Sequence, residues 1–282
     1  MSGARPAPGV PAPPELKDKV FDALAQKSEL PLRAMIVLGL LAGAYIGFGG
    51  LFAIIALTGA ESLPYGFAQI IAGLVFATGL GLVIIAGAEL FTGNTMMIAG
   101  AMAGRIAMPR AFRALAIVYL ANLAGSLMLA ALAYAAGLHE ARGGAVGRAA
   151  VDLARGKTEA GFLATLASGV LANMLVCLAV WCAYAGETVT EKLAGLVLPV
   201  AAFVAAGLEH SVANMFLLPY AWLVQAVPSP GEPAITTAAI VGNLLPATLG
   251  NIVGGAVIAA SYLAAFGERA ATSESAPGQG QT

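Results

Sequence analysis

Two apolar stretches of nearly 40 residues, about 66–104 and 190–226, constrain this chain more than any other feature. A helix needs about 20 apolar residues to cross a bilayer, so each stretch is about twice as long as one span requires. Each also carries a polar cluster near its middle, Glu89 to Thr95 in the first and Glu209 to Asn214 in the second. Polar, chain-breaking sequence at membrane depth is tolerated only where it is buried in protein or lines a cavity. Both stretches therefore read as discontinuous helices. Four ordinary segments, about 32–58, 111–136, 160–184 and 236–266, complete a set of six.

The charge content agrees: 10% of the 282 residues are charged and 59% hydrophobic, against about 25% charged in a soluble domain. A soluble enzyme is excluded, and six spans leave no room for a large soluble domain. The formal net charge of −1 excludes a nucleic-acid partner held by a basic face, which would need surplus Lys and Arg to neutralise phosphates. Gly39, Gly43, Gly47, Gly250 and Gly254 give small faces for close helix packing. Cys177 and Cys182 stand five apart, on different faces of a helix, and read as packing rather than as a disulfide or metal pair.

Residues 1–14 are proline-rich and lack an apolar signal core, so a flexible tail without a cleavable signal peptide is expected. Leu16, Val20, Phe21 and Leu24 share one face of a helix over 15–30, expected to lie on the membrane surface or to serve as a solvated linker. The domains expected are thus a tail and surface helix (1–31), a six-helix membrane domain (32–266) and a flexible tail (267–282). With an even number of spans both tails lie on one side. Arg5, Lys17, Lys19, Lys27, Arg33, Arg105, Arg110, Arg113, Lys192 and Arg269 fall there, ten of the 14 basic residues, which makes that side cytoplasmic. Arg142, Arg148, Arg155 and Lys157 fall in one external loop.

The halves, about 32–136 and 160–266, look like copies. Ala86-Gly-Ala-Glu89 is followed by Asn94 as Ala206-Gly-Leu-Glu209 is by Asn214, and Asn122-Leu-Ala-Gly125 answers Asn251-Ile-Val-Gly254. Three spans is an odd number, so the second copy inserts upside down. Inverted repeats with breaks in matching positions point to a transport site at the midplane.

Few ionisable groups remain at membrane depth: Glu89, Glu209 and His210. Such residues are costly and are functional candidates by default. His210, beside a break, is a candidate proton donor. Glu89 and Glu209 can cap the half-helix that follows each break, with direct proton relay as the alternative. Asn94, Asn122, Asn173, Asn214, Asn243 and Asn251 are expected to satisfy backbone groups near the breaks or to tie helices together. An intramembrane metal, haem or redox enzyme using His210 and Glu209 lacks enough ligands. A sensor with a cytoplasmic output lacks sufficient tails.

Glu89-Leu-Phe-Thr-Gly-Asn94, Asn173-Met-Leu-Val-Cys-Leu-Ala-Val-Trp181, Phe203-Val-Ala-Ala-Gly-Leu-Glu-His-Ser-Val-Ala-Asn-Met215 and Leu249-Gly-Asn-Ile-Val-Gly-Gly255 resemble the signatures of the formate/nitrite transporter family, over about residues 30–265. The resemblance implies an aquaporin-like all-α membrane protomer of six helices, broken at helices 2 and 5, in a homopentamer of the inner membrane with one pore per subunit. It implies no enzyme activity, cofactor or metal. By position, Phe76, Leu80 and Phe203 match the cytoplasmic constriction, and Leu90 with Phe91 the periplasmic one. Thr92 matches the mobile-loop threonine, His210 the central histidine and Glu209 the acid before it. Asn173 matches the pore asparagine and Lys157 the vestibule lysine. The function implied is passive or proton-coupled passage of a small monovalent anion, formate or nitrite. Hydrosulfide or a short monocarboxylate is the alternative. Lys157 and the half-helix N-termini would draw the anion in, and His210 would supply the proton.

Overall fold

The computed structural model describes residues 9–225 and 234–267. The expectations for Arg5, Arg269 and residues 1–8 and 268–282 lie outside them. The described residues form helices α1 (Pro13–Ser28), α2 (Leu32–Leu57), α3 (Tyr65–Ala86), α4 (Phe91–Asn94), α5 (Met97–Met102), α6 (Met108–Ala135), α7 (Ala141–Thr158), α8 (Phe162–Ala185), α9 (Val189–Ala205), α10 (Ser211–Val224) and α11 (Thr237–Phe266). Five of them, α2, α3, α6, α8 and α11, are long and apolar enough to cross a membrane. The 66–104 stretch divides into α3, α4 and α5, and the 190–226 stretch into α9 and α10.

In the first half α2 packs against α3 and α6, and in the second α8 packs against α9 and α11. Glycine makes these seams close. A Cβ at Gly43 would overlap the backbone carbonyl of Asn122, and one at Gly250 that of Leu166. The short helices cross between halves: α10 lies on α2 and α6, while α4 reaches α8 and α11 and α5 reaches α11. The polar clusters are thereby brought to the seam between the halves.

Helix α1 departs from its expected place. Leu16, Val20, Phe21 and Leu24 are buried in the main core, and α1 packs against α5, α6, α8 and α11. Its apolar face is therefore covered by protein instead of lipid. Polar ties hold it as well. Buried Lys17 donates to the carbonyl of Gly267 at the end of α11, Arg105 donates to Asp18 at 2.9 Å, and the Arg105 guanidinium lies over the Phe21 ring. Burial works against ionisation of Asp18, but hydrogen bonds from Arg105 and Lys17 hold its carboxyl below the ordinary 3.8.

The loop expected on the external side is also a helix. Arg148, Arg155 and Lys157 lie on α7 after a left-handed start that includes Arg142, Gly143 and Gly144. Helix α7 corresponds to α1: Val146, Ala150 and Ala154 are buried 130 residues after buried Leu16, Val20 and Leu24. The likeness between halves thus begins upstream of residue 32.

Candidate functional site

Helix α3 ends at Gly87, whose φ of 72° lets the chain turn, and α9 is followed by Gly207 with φ 67°. Left-handed backbone of this kind favours glycine, because a Cβ would crowd the carbonyl. After each turn the chain runs non-helical for a few residues before α4 and α10 begin. The freed backbone groups are taken by asparagines from neighbouring helices. Asn122 Oδ1 accepts from the Phe91 amide at 2.8 Å, while its Nδ2 donates to the carbonyls of Gly39 at 2.8 Å and Glu89 at 2.9 Å. Asn251 repeats all three bonds, accepting from Ser211 at 2.8 Å and donating to Gly169 at 2.8 Å and Glu209 at 2.9 Å.

The glutamates are therefore not helix caps, contrary to expectation. With the amides after the breaks met by asparagine, each carboxylate turns to side chains. Glu89 accepts from Asn94 Nδ2 at 2.8 Å and from Lys27 Nζ at 2.6 Å. Glu209 accepts from Asn214 Nδ2 at 2.5 Å and from Lys157 Nζ at 3.1 Å. Both carboxylates are almost fully buried, and a buried carboxylate persists when paired and hydrogen-bonded. Lys27, counted in the sequence only among the basic residues of the cytoplasmic side, is the counterpart of Lys157. The two lysines occupy the last turns of the corresponding helices α1 and α7.

The halves differ in two respects. Asn243 adds a second donor to Glu209 Oε2 at 3.2 Å and also donates to the Lys157 carbonyl at 2.9 Å. Nothing equivalent serves Glu89 among the described residues, and Lys27 is 26% exposed against 11% for Lys157. The residue before α4 is Leu90, whereas before α10 it is His210, whose side chain caps the helix. His210 Nδ1 accepts from the Ala213 amide at 3.0 Å, and Nε2 lies 3.0 Å from Thr92 Oγ1. An Nδ1 that accepts cannot also carry a proton, so the neutral ring bears its hydrogen on Nε2 and offers it to Thr92. His210 also stacks on Phe203, at 5.6 Å between centroids and 21° between planes.

Two small cavities front these clusters, and no lining residue is shared. One, of about 70 Å³, is lined by Lys157, Phe76, Phe203, His210 and Asn214 among others. The other, of about 30 Å³, is lined by Lys27, Leu80, Leu90 and Asn94 among others. The expected grouping of the constriction residues is corrected: Phe76 and Phe203 meet edge to face on the Lys157 side, while Leu80 stands with Leu90 on the Lys27 side. Phe91 lines neither cavity and packs against Tyr119 instead.

Asn173 lines neither cavity either. Its Nδ2 donates to Thr95 Oγ1 at 2.9 Å and to the carbonyls of Asn251 at 2.5 Å and Thr92 at 3.2 Å. The Thr92 carbonyl also receives the Thr95 hydroxyl at 2.6 Å and the Cys177 thiol at 3.8 Å. Asn173 thus fixes the peptide that carries Thr92 and ties it to the Asn251 cap of the other break. Among the described residues no group of three His, Cys, Asp or Glu side chains could hold a metal.

Fold and site together define a helical membrane protein of the transporter class, with buried ion pairs, apolar cavities and a histidine at a helix start. The comparisons narrow this: the formate/nitrite transporter family profile matches residues 14–265, and the chain belongs to that family. It is similar to the formate channel FocA of Escherichia coli K12, 35% identical over 78% of this chain and 82% of that one. A probable formate transporter of Methanothermobacter thermautotrophicus is 39% identical over 86% and 92%. Among solved structures, a pentameric formate channel with formate bound superposes with a TM-score of 0.77 at 36% identity, covering 83% of this chain and 96% of that one. Relatives of this kind are channels and transporters, not enzymes.

Proposed function

We propose that this chain forms the passage for a small monovalent weak acid, with formate first, in a homopentamer of six-helix inverted-repeat protomers broken at Gly87 and Gly207. Both chain ends lie on the cytoplasmic side of the inner membrane in this reading. The observation that carries it is the doubled Lys–Glu–Asn cluster, each fronting its own apolar cavity. Formate takes precedence over nitrite and hydrosulfide because the similar proteins are named as formate channels.

Each step follows from the energetics of charge in a dry path. Moving a carboxylate-sized anion into low dielectric costs of order 20 kcal/mol before relaxation, and several kcal/mol after it. Protonating an acid of pKa about 3.5 at pH 7 costs about 5 kcal/mol. Lys157 and Lys27 gather the anion at the two mouths, and apolar walls then favour its neutral form, because burial disfavours charge. The neutral acid passes the constrictions, with Phe76 and Phe203 on one side and Leu80 and Leu90 on the other.

The proton-donor role of His210 takes a narrower form. A neutral imidazole with its hydrogen on Nε2 can donate a hydrogen bond through Thr92 but cannot release that proton. Release requires the imidazolium, and hence parting Nδ1 from the Ala213 amide. In the resting arrangement His210 orients Thr92, and the substrate's proton comes from vestibule water. The test is formate flux into proteoliposomes at varied pH. Flux of the wild type should rise steeply with external acidity, and wild-type vesicles no more permeable than empty ones would end the proposal.

A further inference from the structure

Asn94 and Asn214 each line one of the two cavities and are almost wholly buried. Each turns its amide nitrogen to the neighbouring glutamate, and a carboxylate can only accept, so the amide orientation is fixed. Asn214 Nδ2 spends its second hydrogen on Asn243 Oδ1 at 2.8 Å. The side-chain carbonyl of Asn214 is left buried with no donor, and among the described residues none of the hydrogen bonds made by Asn94 uses its carbonyl either. Buried acceptors without partners are destabilising and rare.

An unbonded side-chain carbonyl nevertheless stands in both halves, fully enclosed at Asn214 and only unbonded at Asn94, although positions around it have diverged. Leu90 answers to His210, Val83 to Phe203, and Gly93 to Ala213. An acceptor kept free beside the path in both copies needs a donor that arrives and leaves. A carboxylate or nitrite anion offers only lone pairs and is repelled by a carbonyl oxygen. The same acid in its neutral form carries one O–H.

We propose that the side-chain carbonyls of Asn94 and Asn214 accept the O–H of the substrate in its neutral form, one in each cavity. This rests on the weak-acid reading above and adds the groups that recognise the protonated species. Each cavity then holds a lysine for the anion and an asparagine oxygen for the acid, and the substrate passes from one to the other as it gains or loses its proton. The carboxamides select against anions that stay charged, and the glutamates act through them as positioning residues.

Formamide tests this, being neutral at all working pH values, planar like formic acid, and a donor through N–H. Its inhibition constant against radiolabelled formate uptake is measured on full-length protein in proteoliposomes. The constant does not depend on how many channels assemble, so a purely structural defect leaves it unchanged. Wild type should be inhibited competitively. Asn94→Ala and Asn214→Ala should each raise the constant about twofold, because the other site remains. The double variant should raise it about tenfold, the worth of one ordinary hydrogen bond. Absence of formamide inhibition in wild type, or a constant unchanged in the double variant, overturns the proposal. If the double variant does not assemble, the singles decide. Should wild type carry no formate, the functional reading fails separately, and the constant is read with nitrite as tracer.

Discussion

Leu90 and His210 hold the same place in the two halves of the molecule, each immediately before a helix that restarts after a glycine turn. One presents an aliphatic side chain to its cavity, and the other caps α10 through Nδ1 and faces Thr92 through Nε2. The two cavities therefore share a scaffold and differ in chemistry.

His210→Asn separates the two duties of the ring. Asparagine is a good helix cap, so thermal stability should fall by no more than about 1 kcal/mol. The contact with Thr92 is lost, and formate flux should fall while its pH profile keeps its shape, since vestibule water supplies the proton. Unaltered flux in a stopped-flow vesicle assay would remove His210 from the transport path. His210→Leu, which copies Leu90, should lose stability as well as flux.

Lys157→Ala should destabilise the protein by about 3–5 kcal/mol, because it leaves the Glu209 charge buried without its cation. Adding Glu209→Gln should recover much of that loss in thermal unfolding while formate uptake at low concentration stays impaired. Recovery of both together would assign Lys157 a structural role alone.

Phe203→Val copies Val83 of the other half and enlarges the cavity beside His210. Passage of acetate relative to formate should rise several-fold. The stability cost should be of order 1–3 kcal/mol, within the range for large-to-small core changes. A fixed acetate-to-formate ratio would show that Phe203 does not set the bore.

Asp18 gives a pH dependence with a defined sign. Its carboxyl sits below 3.8 in the folded protein, so its contribution to holding α1 is full above that value and is lost as the pH falls through the lower folded value. Hydrogen exchange over residues 13–28 should speed up at such acidity in wild type, and Asp18→Asn should show the faster exchange already at pH 7. Equal rates for the two at pH 7 would argue that Arg105 and Lys17 hold α1 without it.

Much of the site was legible in the sequence, because polar residues at membrane depth are few. The Glu89/Asn94 and Glu209/Asn214 pairs and the Asn122/Asn251 correspondence all stand in matching bonds. Lys27 escaped for a reason of register. The matching offset is 120 residues for the glutamates but 130 for the lysines and for Gly39 with Gly169, since the segments before the two breaks differ in length. A search at one offset cannot see both. The placing of Leu80 and Phe76 on one side failed differently: they lie one turn apart on α3, and which cavity each meets depends on α1 and α9, which sequence alone does not position. The glutamates were misread as caps because nothing local shows that Asn122 and Asn251, from distant helices, reach the backbone amides first.

The glycine seams at Gly43 and Gly250 set backbone against backbone, leaving no side-chain rotamers there to take up strain. Each half thus behaves as a stiff frame, much as a hinge needs two rigid leaves. Whatever breathing the path requires falls to the stretch from Gly87 to Met97 and its counterpart ahead of α10. Spin labels across either seam should report a fixed separation while substrate flows.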